Sequence, residues 1–291
     1  MERRTDMKLG TRLLLLFGLM GMGLIAGSVL SILIVKHGLL SLLVVQDVFA
    51  FIVPGLAAMA ILYRRPLDVM GLNRAPGWLS LLIILLFYVI SLPAMNWIVS
   101  VNESMTLPSW MSSIEAWMRS TEDAAAQATK KILDINSVGQ LIATTLVVGF
   151  MAGLSEEILF RGAMQRTMQD SRMGTHAVLW IVAFIFSAFH MQFYGFVPRM
   201  VLGLWLGYLL LWTRSLWVPI IAHTLNNSTV VIFSYLSNTG IVNEGYGENI
   251  GIPADGNLPW LAIVSFIASI ALALWAHRHY THQDETPPTL S

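Results

Sequence analysis

Apolar residues fall along this chain in blocks of about 20, parted by short polar or charged breaks, and a helix of that length crosses the hydrocarbon layer of a bilayer. The blocks lie near 13–35, 42–62, 78–101, 138–164, 175–192, 196–213, 216–236 and 258–276. The pattern predicts an all-α fold: a polytopic membrane helical bundle of about eight transmembrane helices. Arg3, Arg4, Lys8 and Arg12 precede the first block, as they would in a signal peptide. Its apolar run exceeds a signal h-region and has no clear small-residue cleavage site, so it reads as a retained helix.

The stretch 108–133 breaks the pattern. Trp110, Ile114, Trp117, Met118, Ala125, Ala128 and Ile132 recur at helical spacing among polar residues. It reads as an amphipathic helix, continuous or broken, lying on the outer membrane surface or capping the bundle. Four segments follow: N-terminal transmembrane helices (1–101), an extracytoplasmic amphipathic segment (102–137), a polar-bearing transmembrane core (138–236), and an outer loop, last helix and cytoplasmic tail (237–291). The tail after Ala276, ending Thr-Pro-Pro-Thr-Leu-Ser, reads as disordered.

Charge sets the orientation. Basic residues gather at the N-terminus, at Arg64, Arg65 and Arg74, at Arg166 and Arg172, at Arg214 and at Arg278. The alternate loops are acidic or short, with Glu103, Glu115, Glu122, Asp123 and Asp134 against Arg119, Lys130 and Lys131 in one and Glu244, Glu248 and Asp255 with no basic residue in another. The positive-inside rule then places both termini in the cytoplasm, as in a multi-pass protein of a bacterial inner membrane. Lys36 and Arg199 depart from the rule. Hydrophobic residues make up 56% of the chain and charged residues 12%, too few to cover a soluble protein of 291 residues. Zero formal net charge offers nucleic acid no basic surface. The chain has no cysteine, which excludes thiol nucleophiles, disulfides and thiolate metal sites.

An ionisable group inside the bilayer costs roughly 2.5–3.5 kcal/mol on insertion scales, so each needs a reason. Asp47 is the clear case in the N-terminal half, where capping or bonding of backbone would account for it. The fourth block carries Glu156, Glu157 and Arg161, the fifth His190, and the seventh His223 and Asn227. Glu157 and Arg161 are four apart with the acid first, the favourable order for a helical ion pair. Glu156 lies about 100° round the helix, away from that pair. Gly149 and Gly153 let a neighbouring helix come close on the same side. Counted along the helices, Glu156 lies about 15 Å, His223 about 10 Å and His190 about 20 Å from the cytoplasmic ends. One buried histidine is ordinary packing; this combination on three helices is not.

The motifs are Glu-Glu-Ile-Leu-Phe-Arg-Gly at 156–162, Phe-Ser-Ala-Phe-His at 186–190 and His-Thr-Leu-Asn-Asn at 223–227. In that order, each on a predicted span, they resemble the CPBP (Abi) family of CAAX proteases and bacteriocin-processing proteins, which includes the Ras-converting endopeptidase of eukaryotes. The resemblance covers roughly 140–235. It implies an intramembrane glutamate endopeptidase acting on a peptide or protein substrate at the membrane. Glu156 would activate water, aided by His190. His223 and Asn227 would stabilise the oxyanion, with Glu157 and Arg161 in support.

The chemistry is consistent with that assignment, because hydrolysis needs a base for water, donors for the oxyanion and a proton for the leaving amine. No H-E-x-x-H zinc helix is present. No cofactor is expected, although Glu156, His190 and His223 together make a conceivable zinc set. Ser155 follows Gly153 at G-x-S spacing, and a Ser–His dyad stays open. A non-proteolytic scaffold or immunity protein and a proton or ion translocator also account for a buried polar cluster. The absence of a matching Glu–His–His set in residues 1–100 speaks against the repeated halves of many transporters.

Overall fold

The computed structural model describes residues 2–243, 245–253 and 257–285, with side chains to 281. The acidic loop residues Glu244 and Asp255 and the terminal residues 286–291 lie outside the described residues. The apolar blocks and the amphipathic stretch form α1 (Leu9–Ile34), α2 (Leu39–Leu62), α3 (Trp78–Glu103), α4 (Ser112–Ile132, the amphipathic one), α5 (Val138–Gln169), α6 (Thr175–Phe189), α7 (Phe196–Thr213), α8 (Trp217–Asn238) and α9 (Trp260–Glu285). Among the described residues six helices are long and apolar enough to cross a membrane, and the protein is an integral, multi-pass helical bundle. The other two expected spans are α6, which is apolar but only 15 residues long, and α8, whose His223, Asn226, Asn227 and Ser228 dilute its apolar length. The tail differs from expectation: α9 continues past Ala276 to Glu285. Trp212 Nε1 donates to His277 Nδ1 at 3.0 Å, which fastens the added turns to α7.

Helix α1 packs on α2, α2 on α5, α5 on α8, α6 on α7, and α3 on α9. One apolar core joins α1, α2, α5 and α6 through Leu16, Met59, Leu62, Phe160, Met164 and Phe186. A second joins α3, α7, α8 and α9 through Ile83, Trp205, Leu206, Leu209, Val218 and Ala276. Pro93 lies inside α3 and can neither donate to the helix ladder nor leave it straight. Ser265 of α9 repairs the gap: its hydroxyl donates to Ile90 O at 2.5 Å and accepts from Ala94 N at 3.2 Å. A neighbouring hydroxyl is a usual way to satisfy backbone freed by a proline in a membrane helix.

At the basic face, Asp170 collects the chain's N-terminal half. Its Oδ2 accepts from Arg3 Nε, Arg12 Nη1 and the Tyr63 hydroxyl, and its carbonyl accepts from Arg3 and Arg12. At the opposite face α4 is continuous, with no residue of it buried. It meets the bundle through Trp117 against Phe193 and through Glu122 Oε2, which accepts from Tyr194 N at 3.2 Å.

Candidate active site

Three widened, π-type turns interrupt the helices around the polar cluster, at Asp47–Ile52 in α2 and at Thr145–Met151 and Ile158–Gln165 in α5. Such turns are rare and are frequently found at functional sites. The two in α5 flank Glu156 and Glu157. The first packs on α8, which the small residues Gly149 and Gly153 let come close. A Cβ at Gly149 would overlap the Ser228 hydroxyl, and one at Gly153 would lie 3.2 Å from Thr224 N. Close approach of α8 carries His223 to the glutamates.

Glu157 and Arg161 are fully buried and bonded at 2.7 Å. Arg161 Nη2 also donates to Gly203 O of α7 at 3.0 Å, and its guanidinium lies 4.3 Å from the Phe186 ring centroid. The same Glu157 oxygen holds His223 Nδ1 at 2.9 Å. A carboxylate paired to arginine can only accept, so Nδ1 carries the proton. His223 Nε2 then points to Glu156 Oε2 at 3.8 Å. An oxyanion donor at this position must present an N–H from Nε2. The neutral ring commits its one N–H to Glu157, and Nε2 donates only when the ring is imidazolium.

His190 is built in the same way from the other side. Helix α6 spans about 22 Å, short of the roughly 30 Å hydrocarbon layer. Its end therefore stops at membrane depth, and His190 caps it there. Irregular backbone at that depth must find partners within the protein. Asn102 of α3 supplies them by donating to Phe193 O and accepting from Val197 N, and Arg199 donates to Gln192 O and Oε1. His190 Nδ1 bonds Phe186 O at 2.9 Å, which again places the proton on Nδ1. Its Nε2 lies 3.9 Å from Glu156 Oε2.

Glu156 thus stands between two imidazole nitrogens. Its side chain is 16% exposed, and Oε2 has no hydrogen-bond partner. Separations near 4 Å are too long for direct bonds and suit one bridging water. Asn227 is less directly placed. Its Nδ2 donates to Val148 O of α5 at 3.2 Å, and its Oδ1 accepts from Asn226, leaving one of two amide N–H groups. Ser155 turns away from both histidines, with its hydroxyl 3.1 Å from Asp47 Oδ1 and 3.0 Å from Ala152 O, and a Ser–His dyad is not formed. Among the described residues no group of three or more acidic, histidine or cysteine side chains is arranged to hold a metal ion.

Several members of the site were not singled out from sequence. The Val148 and Gly203 acceptors are backbone carbonyls, which carry no residue signature. The Asp47–Ser155 bond joins positions 108 residues apart, a separation that no local spacing connects. Arg199 had one signal, its place on the wrong side for the charge rule. Beside the cluster a cavity of about 520 Å³ opens between α3, α7 and α8. Tyr88, Asn96, Glu122 and Arg199 line it, as do Ala222 and Asn226, the sequence neighbours of His223 and Asn227.

Residues 138–229 match the family model described as Type II CAAX prenyl endopeptidase Rce1-like. That range holds all three motifs, in accord with the resemblance read from them. Over 98 residues the chain is 34% identical to the uncharacterized protein YpbD of Bacillus subtilis (strain 168), covering 32% of this chain and 45% of that protein. The chain thus spans less than half of the curated relative it matches. No solved structure matches the chain.

Proposed function

We propose that the protein is an intramembrane endopeptidase of the glutamate type. It hydrolyses a peptide bond of a membrane-associated substrate, a prenylated or leader peptide being the class its motifs suggest. The observation that carries this reading is the unpartnered Glu156 Oε2, within 4 Å of Nε2 of both His190 and His223 inside a membrane bundle. A water between Glu156 and His190 gives its proton to Glu156 as its oxygen attacks the peptide carbonyl carbon. The carbonyl oxygen becomes an oxyanion, met by imidazolium His223 Nε2–H and by the free Asn227 amide N–H. Collapse breaks the C–N bond, and Glu156 returns the proton to the leaving amine. Glu157 and Arg161 position His223. The cavity beside Asn226 admits the substrate from the outer half of the bundle.

Placement in a bacterial cytoplasmic membrane, both termini inside, accords with the basic residues gathered at one face. Glu156→Gln is the direct test. Turnover of membrane peptides should vanish while the fold is kept, and the peptides that accumulate identify the substrate. A scaffold or immunity protein would lose nothing. Exhaustive chelation should leave the activity of the purified protein intact; loss restored by zinc would replace the carboxylate base with a Glu–His metal site.

A further inference from the structure

The basic residues that orient the chain are not spread evenly over its cytoplasmic face. Arg65, Arg74, Arg166 and Arg214 converge on one cavity of about 350 Å³, shared with Glu2 and Asp68. The two acids are engaged elsewhere: Glu2 pairs with Arg64, and Asp68 accepts from Asn73. Arg65, Arg74 and Arg166 have no ion-pair partner among the described residues. Arg166 Nε is buried without a hydrogen-bond partner, while its Nη1 donates to Gln169 Oε1 at 3.5 Å. A buried donor left unbonded costs free energy, as does the gathering of like charge, and a bound anion relieves both.

The walls are fixed in place. Ser215 Oγ donates to Arg74 O at 2.6 Å, Leu216 N to Gly71 O at 3.1 Å and Trp217 Nε1 to Leu72 O at 2.9 Å. The left-handed Gly71 lies so close to the Arg214 carbonyl that a Cβ would overlap it. These bonds lock the loop carrying Arg65 and Arg74 to the loop carrying Arg214 before any ligand arrives. Arginine forks match the oxygens of a phosphate group. The cavity lies where α2, α5 and α7 end and α8 begins, at the level where lipid headgroups meet water. Exposed Trp78, opening α3 on the same face, suits that interface.

We propose that this cavity is a phosphate-binding site at the cytoplasmic membrane surface. It takes either the phosphodiester of an anionic phospholipid headgroup or free phosphate. The site is separate from the Glu156 cluster and does not depend on the peptidase reading.

Binding is read on the full chain in neutral detergent, by thermal unfolding and native mass spectrometry. Inorganic phosphate is compared with chloride at matched ionic strength, and phosphatidylglycerol with phosphatidylcholine. A saturable rise in unfolding temperature with phosphate assigns a soluble anion. Selective retention of phosphatidylglycerol without a response to phosphate assigns the headgroup. In either case Arg74→Gln and Arg65→Gln should each weaken binding about tenfold or more. Arg172→Gln, outside the cavity, should not. Responses to phosphate and phosphatidylglycerol no greater than those to chloride and phosphatidylcholine overturn the proposal. So does wild-type binding in both cavity variants.

Discussion

Glu157 Oε1 serves two donors at once, Arg161 at 2.7 Å and His223 at 2.9 Å, in a place with no access to water. Removing Arg161 strands a buried carboxylate. Arg161→Ala should cost about 3–5 kcal/mol of stability and lower activity, because the carboxylate that orients His223 loses its arginine partner. An unfolding midpoint equal to wild type would disprove that dependence. Asn227 has two duties, so Asn227→Ala should show two effects. Loss of one oxyanion donor lowers turnover about 10²–10³-fold with residual activity. Loss of the bond to Val148 O costs about 1 kcal/mol. Turnover and chemical denaturation, measured on one preparation, separate the two. At this scale the Glu157–Arg161 pair was legible, because four residues of helix place the two groups together. The tautomers of His190 and His223 were not legible. Each depends on an acceptor, Phe186 O or Glu157, whose direction only the fold sets.

Helices α5 and α8 cross where Gly149 and Gly153 stand, and the site depends on that crossing. Gly153→Val should force α8 outward, since Thr224 N and Cα lie 3.2 and 3.5 Å from an added Cβ. Overpacking of this kind costs about 1–3 kcal/mol. It should also widen the gap between Glu156 and His223, so turnover should fall further than stability. Gly139→Val on the same helix meets open space and serves as the control. The eight apolar blocks were legible as helices because every one carries its own run of apolar residues. The widened turns were not, since a constant 100° per residue contains no register change. Asp47–Ile52 shows why this matters: the turn brings the Phe49 carbonyl against Gly23 of α1, a contact with no periodic signature.

For the molecule as a whole, reporter fusions after Asp134 and after Gly245 should both report the outside; a cytoplasmic signal from either breaks the topology. The knot at Asp170 predicts a pH response. Burial alone would push this carboxyl up. Hydrogen bonds from Arg3 and Tyr63 and the charges of Arg3 and Arg12 outweigh it and hold the group below its ordinary value. Its contribution to stability is therefore complete above about pH 4, the unfolded value, and is lost as the pH falls through the lower folded value. Asp170→Asn should flatten that acid limb of a stability profile. The knot also has a meaning in time. Arg12 and Asp170 are 158 residues apart, and at 5–20 residues per second a ribosome needs roughly 8–30 s to bridge them. During that interval α1 and α2 sit in the membrane with Arg12 lacking its carboxylate and bonded within the bundle only to the Tyr63 hydroxyl. An N-terminal fusion that restrains Arg3 or Arg12 should therefore reduce the yield of inserted protein, even where it leaves the assembled molecule unharmed.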